Sequence, residues 1–289
     1  MLAGRATAFT TAALLAFAAN SWLCRFALRS GDIDPLLFTA VRLLSGAVVL
    51  WPLARALEPP GTRAGSWTAG VALFVYAIAF SLAYVSLDTG VGAFLLFGAV
   101  QATMIGAGLI QGERPGPRQW LGLLVALAGL AWLAAPGFAA VGAPGGRLAG
   151  ALLMGVAGAA WGLYSLAGRG RPHPFAVTAG NFLRAAPLAL ILVAAARLAT
   201  TAVHASTKGV LLAAISGAVT SGIGYVLWHA ALRHLTATTA GIVQLAVPAL
   251  AAAGGVIFLR ERPTARLLIA GVLILGGVAL AVVRRPTRS

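Results

Sequence analysis

The segment Leu87–Ala131, LDTGVGAFLLFGAVQATMIGAGLIQGERPGPRQWLGLLVALAGLA, returns without a gap as Leu235–Ala279, LTATTAGIVQLAVPALAAAGGVIFLRERPTARLLIAGVLILGGVA. A shift of 148 places Glu113 on Glu261, Arg114 on Arg262, Pro115 on Pro263, Arg118 on Arg266 and Gly129 on Gly277. Each copy is a long apolar run, a charged Glu-Arg-Pro corner and a second apolar run. Repetition at a fixed distance means that one structural unit is built twice, so it constrains the fold more than any single motif.

The unit is a membrane unit. Only 9% of the residues are charged and 60% are hydrophobic, whereas a soluble domain carries roughly 25% charged residues. A bilayer core is crossed by about 20 apolar residues. Runs of that kind occupy 6–28, 35–53, 67–87, 89–111, 118–135, 147–167, 174–196, 208–232, 236–259 and 265–283. Gly, Pro and charged residues break the chain between them, as in SGDIDP, LEPPGTRAG, GERPGPR and GRGRPHP. The expected fold is all-α and integral to the membrane, with ten transmembrane helices. The run from Ala6 is too long for a signal-peptide core and reads as a retained first helix. A net charge of +15 would suggest nucleic acid in a soluble protein. Here the basic residues flank apolar runs, so no nucleic-acid partner is expected. Cys24 is the one cysteine. It has no disulfide partner within the chain, and no metal-ligand spacing exists, so no metal or cofactor is expected.

The repeat extends beyond the opening segment. TAVR ends at Arg42 in the second run and NFLR ends at Arg184 in the seventh; FAANSW (17–22) in the first run faces AAWGLY (159–164) in the sixth. The chain divides into five-helix repeats at 1–138 and 147–289, joined by a loop at 136–146. Five is odd, so the second copy enters from the opposite face, which gives inverted repeats. With both termini cytoplasmic, the inner segments hold eleven basic residues (Arg5, Arg55, Arg63, Arg114, Arg118, Arg169, Arg171, Arg233, Arg284, Arg285, Arg288). The outer segments hold seven, so the Lys/Arg bias favours that orientation.

Few side chains inside the runs carry chemistry. Trp51, Trp67, Trp120 and Trp132 lie near run ends, as interfacial anchors do. Trp22, Tyr76, Phe80, Tyr84, Phe94, Phe97, Trp161, Tyr164, Tyr225 and Trp228 lie deeper. They are either packing or the wall of an aromatic cavity that stacks on substrate. Tyr76, Phe80 and Tyr84 share one face of the third run; Phe94, Phe97, Gln101 and Met104 share one of the fourth. Gln101 and Gln244 need amide partners, which are either another helix or the substrate. Asn20, Asn181 and His229 are the other polar groups in mid-run, and His229 is a candidate proton carrier. Arg42 and Arg184 lie deep enough to be costly. They either brace a helix end or attract a substrate carboxylate. All six acidic residues (Asp32, Asp34, Glu58, Asp88, Glu113, Glu261) fall at run ends or loops, so no membrane-buried carboxylate is available for ion coupling. Glu113 and Glu261 read as helix caps that pair locally with Arg114 and Arg262. Pro115 and Pro263 suit the start of the following helix. Gly158-xxx-Gly162 and Gly108-xxx-Gly112 suit close helix approach, and Pro187 and Pro248 suit kinks.

The paired repeats, Trp161-Gly162, the Arg of each second helix, and the late Glu before a short turn resemble the drug/metabolite transporter superfamily, in particular its ten-helix EamA-type exporters. The first repeat departs from the pattern with Asn20-Ser21-Trp22. The stretch 89–104, TGVGAFLLFGAVQATM, is similar to the subgroup typified by the bacterial aromatic amino-acid exporter YddG. The resemblance implies a central cavity between repeats and export of amino acids or related metabolites across the bacterial inner membrane, by a monomer or homodimer and without catalysis. Asn20, Trp22, Tyr76, Phe80, Tyr84, Phe94, Phe97, Gln101, Trp161, Tyr164, Tyr225, Trp228, His229 and Gln244 form the expected substrate-binding set. A broad exporter of drugs or lipophilic cations is the alternative. A membrane enzyme is the remote one, since no P-loop, metal set or Ser/His/Asp arrangement is present.

Overall fold

The computed structural model describes residues 2–87, 89–138, 147–199, 203–259 and 264–283. Its ten spans are α1 (Leu2–Arg29), α2 (Pro35–Leu57), α3 (Trp67–Ser86), α4 (Thr89–Ile110), α5 (Pro117–Phe138), α6 (Arg147–Gly168), α7 (Pro174–Leu198), α8 (Thr207–Leu232), α9 (Ala237–Gln244 continued as Ala246–Leu259) and α10 (Ala265–Val282). All ten are long and apolar enough to cross a bilayer. Helices are the solution because hydrocarbon offers no partner to a free backbone N–H or C=O. Their starts carry the expected chemistry. Asp34 accepts from the amides of Leu36 and Leu37 ahead of α2, and Ser66, Ser206, Thr236 and Thr264 cap α3, α8, α9 and α10 through their hydroxyls. Pro35, Pro117 and Pro174 occupy first helical positions. The start of α5 therefore falls at Pro117 and not at Pro115. Pro263, Glu261 and Arg262 lie outside the described residues.

Contacts between connections fix which helix ends share a face. Asp34 N donates to the His204 carbonyl at 2.9 Å and Lys208 Nζ meets Asp32 at 2.8 Å, which joins the α1–α2 and α7–α8 connections. On the other face, Glu58 of the α2–α3 connection meets His173 of the α6–α7 connection at 2.5 Å. Glu113, between α4 and α5, meets Arg169, between α6 and α7, at 2.9 Å. With helices alternating, the start of α1 and the end of α10 belong to this second face, called here the terminal face; the first is the distal face. Arg55, Arg63, Arg114, Arg169, Arg171 and Arg233 sit at helix ends or connections of the terminal face.

The helix neighbours obey an exchange of repeats. α3 packs on α6 as α8 packs on α1, α4 on α6 as α9 on α1, and α3 on α7 as α8 on α2. The α2–α7 and α5–α10 pairs are their own images. Five crossings separate equivalent helices, so the two halves run in opposite directions as inverted repeats. Glycine sets the closest crossings. A Cβ on Gly122 of α5 would strike the Gly277 carbonyl of α10, and one on Gly277 would strike that of Gly122. Gly158 of α6 lies against the Leu96 carbonyl of α4 in the same way, and Gly162 meets Thr103. Large apolar side chains such as Val48, Leu124, Leu152, Ile191 and Val272 remain exposed and face lipid.

Gly276 and Gly277 are neighbours on α10, but a Cβ on Gly276 meets nothing within 4 Å. Gly277→Val is therefore expected to destabilise the purified protein by about 1–3 kcal/mol through overpacking. Gly276→Val is expected to leave its thermal midpoint in detergent nearly unchanged. Equal losses in the two variants would contradict the crossing described here.

Candidate functional site

The two halves enclose a cavity of about 340 Å³. α1 supplies one stripe of its wall with Phe17, Asn20, Ser21, Trp22 and Arg25, at the three- and four-residue spacing of one helix face. α3 supplies Tyr76, Phe80 and Tyr84; α4 supplies Gly90, Ala93, Leu96 and Phe97; α6 supplies Trp161 and α8 Tyr225. α9 supplies Gln244, Val247, Pro248, Ala251 and Ala252, while Leu133 of α5 and Leu267 of α10 stand at the rim. Arg25, Tyr84, Gly90, Leu133, Thr264 and Leu267 all lie toward helix ends of the distal face. Among the described residues no lining residue comes from helix ends of the terminal face, so the cavity opens distally.

Its floor is aromatic. Trp161 sits with ring centroids 5.3 Å from Phe17, 4.9 Å from Tyr76 and 4.7 Å from Tyr225. The stripe continues outward, with Tyr76 to Phe80 at 5.6 Å and Phe80 to Tyr84 at 4.6 Å. Edge and tilted contacts of this kind hold ring positions beyond simple area burial. Trp161 Nε1 donates to Gln244 Oε1 at 2.5 Å; Gln244 Nε2 turns away to the Ala240 carbonyl at 3.0 Å and Met104 Sδ at 3.2 Å. α9 is interrupted at Leu245. Pro248 has no N–H for the carbonyl four residues earlier, that of Gln244, and the break follows from that.

Below the floor the terminal face is closed. Gln101 Nε2 donates to the Gly241 carbonyl at 2.8 Å, tying α4 to α9. Glu113 accepts from the amides of Ala237 and Thr238 at 2.7 and 2.9 Å, the first two residues of α9. Arg169 pairs with Glu113 and donates to the Leu235 carbonyl at 3.2 Å and to Gln111 Oε1 at 3.0 Å. Glu113 is thus a cap, but for a helix of the other repeat, and its cation is Arg169 in place of the neighbouring Arg114. Burial pushes its carboxyl pKa up; the Thr238 and Ala237 amides, the Thr238 hydroxyl and Arg169 outweigh that and hold it below the ordinary range.

The remaining wall is polar and rests on an irregular helix. Ser216–Ile223 of α8 winds as a π-helix, a form that gathers at functional sites. It presents Ser216 to Asn20 Oδ1 at 2.6 Å and Thr220 to the same oxygen at 3.1 Å. Ser221 accepts from Arg42 Nε at 2.8 Å, and Tyr225, just beyond, accepts from Arg42 Nη2 at 2.6 Å. Gly217 lets this segment approach: a Cβ there would strike the Arg42 carbonyl.

A model of the EamA-like transporter family matches residues 5–135 and again 148–283. The chain belongs to that family. This EamA-like transporter is 49% identical over 290 residues to the Uncharacterized protein PA1977 of Pseudomonas aeruginosa, covering 99% of this chain and 97% of that one. A solved crystal structure matches it with a TM-score of 0.77 and 23% identity over 96% of each chain. That likeness shows the fold alone.

In this EamA-like transporter, Asn20, Trp22, Tyr76, Phe80, Tyr84, Phe97, Trp161, Tyr225 and Gln244 come together on the cavity wall. Phe94, Gln101, Tyr164, Trp228 and His229 do not line it. Trp228 is buried and donates to Ser165 at 3.0 Å; His229 Nδ1 meets the Thr178 hydroxyl at 2.9 Å; Tyr164 is packed 5.0 Å from the His229 ring. Their place one turn beyond the floor follows from the helix period, which sequence alone cannot orient. Arg184 is a brace, donating to the carbonyls of Ala64 and Gly180 at 2.9 and 2.7 Å with Trp67 beside it. Asn181 accepts from Ser66 N at 3.0 Å and secures the start of α3. Sequence reasoning passed over Arg25. Its signal is the one-turn spacing to Trp22 and Ser21. Of the three α8 residues in the expected set, Tyr225 alone lines the cavity, while Leu133 of α5 and Leu267 of α10, absent from that set, reach its rim.

The Glu113 carboxylate pKa is lowered, so its contribution is fully present above the ordinary value of 4.5 and is lost as pH falls through the lower folded value. Glu113→Gln is expected to cost about 1–3 kcal/mol at neutral pH, the scale of hydrogen bonds to a charged group. Thermal shifts measured across pH should show the gap from the parent protein closing below that value. A gap independent of pH would contradict a charged cap.

Proposed function

We propose that this EamA-like transporter exports amino acids or related small metabolites across the bacterial inner membrane by alternating access. The observation that carries the reading is the cavity: aromatic walls and one open face, with Arg25 the one charged side chain on its lining among the described residues. Apolar and aromatic walls suit a solute with an apolar body. The distal opening is then the periplasmic mouth and the terminal face, with its Arg-rich connections, is cytoplasmic. Binding from the cytoplasm requires the Glu113–Arg169 contacts on α9 to part while the distal mouth closes. Substrate stacks on Phe80 and Trp161, with Asn20, Trp22, Tyr76, Tyr84, Phe97, Tyr225 and Gln244 around it. Phe94, Gln101, Tyr164, Trp228 and His229 act from behind this wall.

Among the described residues no acidic side chain lines the cavity, and carriage on this reading runs down the substrate gradient without a coupled proton. Counterflow in proteoliposomes with labelled phenylalanine, threonine, methionine and a lipophilic cation tests the substrate class. Exchange of amino acids without the cation is expected, and exchange of the cation alone overturns the reading. A pH dye inside the same vesicles is expected to stay constant on substrate addition; substrate-driven acidification overturns the uncoupled reading.

A further inference from the structure

We infer that the cavity contains an oxyanion site made of the Tyr225 and Tyr76 hydroxyls and charged from behind by Arg42, so that the transported solute bears a carboxylate. This rests on the carrier reading above and names the chemistry its site selects.

Arg42 is 1% exposed, yet the groups around it are neutral. Nε donates to Ser221 at 2.8 Å, Nη2 to Tyr225 at 2.6 Å, and the guanidinium carbon lies 5.5 Å from the Tyr76 ring centroid. Nη1 has no hydrogen-bond partner, and among the described residues no carboxylate pairs with the guanidinium. An ion withdrawn from water without a counter-ion is a standing cost, and a buried cation left in that state is the complement of an anion that arrives from outside. The cost is held in place by the fold: Gly217 lets α8 sit directly on the Arg42 backbone, and the π turn presents Ser221.

Arg42 does not reach the cavity wall; Tyr76 and Tyr225 do. Because the Tyr225 oxygen accepts from Arg42, its own proton must point elsewhere. It donates to the Tyr76 hydroxyl at 3.5 Å, a long contact that a ligand oxygen would improve on. Hydrogen bonds polarise one another in series, so the guanidinium makes Tyr225 a stronger donor to an anion. Rings of Phe17, Trp161, Tyr164 and Phe182 within 6 Å hold Tyr225 in that pose. Arg42 is therefore a positioning residue that acts through a tyrosine, and the solute lies with its oxyanion on the hydroxyls and its apolar body against Trp161 and Phe80.

Binding to the full chain in nanodiscs, read by tryptophan fluorescence, tests this without requiring transport. The probes are 3-phenylpropionate, the uncharged 3-phenylpropionamide, and phenethylamine. The parent protein is expected to bind the carboxylate about tenfold more tightly than the amide, and the amine more weakly still. Tyr225→Phe keeps the ring and removes the donor, and should bring the carboxylate-to-amide ratio close to one. Arg42→Gln should do the same, with Arg42→Lys intermediate. A merely structural role would weaken both ligands together and leave the ratio unchanged. Phenethylamine binding as well as phenylpropionate, or an unchanged ratio in Tyr225→Phe, overturns the site. Carboxylate preference without phenylalanine counterflow overturns the exporter reading and leaves the site standing; counterflow without that preference does the reverse.

Discussion

Inside hydrocarbon a polar group has only the protein to bond with, and most of this molecule follows from that. Ten helices satisfy their own backbones. Glycines such as Gly122, Gly158 and Gly277 then bring them together where water exclusion gives no drive for apolar faces to associate. The charges that do enter are held by specific hydrogen-bond partners. Arg184 is met by two carbonyls, and Glu113, at the membrane edge, by two amides and a guanidinium. Arg42 is the exception, with hydroxyls for partners and one nitrogen, Nη1, left without any. The exception stands directly behind the cavity wall.

The same constraint explains where the regular helix fails. α8 winds as a π-helix at Ser216–Ile223, and α9 breaks at Leu245 ahead of Pro248. Both irregularities belong to the second repeat: the break at Leu245 lies between the lining residues Gln244 and Val247, and the π-helix stands behind the wall against Asn20 and Arg42. Their equivalents in the first repeat, α3 and α4, are continuous. The halves are thus alike in their crossings and unlike at the cavity. α3 offers an aromatic stripe, whereas α8 offers the hydroxyls that hold Asn20 and Arg42.

Closure of one face and opening of the other share parts. The Gln244 amide that fixes Trp161 in the floor belongs to the helix whose start Glu113 caps. Movement of α9 away from the α4–α5 corner would therefore disturb the floor and the terminal closure together. Gln101 links the same two helices closer to the floor.

The sequence by itself determined the ten spans, the duplication and the opposed halves, because hydrophobic length and repeat spacing are local properties of the chain. It also marked out the aromatic stripe of Tyr76, Phe80 and Tyr84, which a helix period places on one face. Only the tertiary structure decided which faces meet. It turned Trp22, Trp161 and Tyr225 to the cavity, put Tyr164, Trp228 and His229 one turn away, and brought Arg25 in. It separated Arg42 from Arg184, which occupy equivalent positions and look alike in sequence. It sent Glu113 across to α9 and Arg169 in the other repeat. The π turn of α8 has no sequence signature of its own. It is set by packing against α2, where the absence of a Cβ at Gly217 admits the approach that aligns Ser221 and Tyr225 on Arg42.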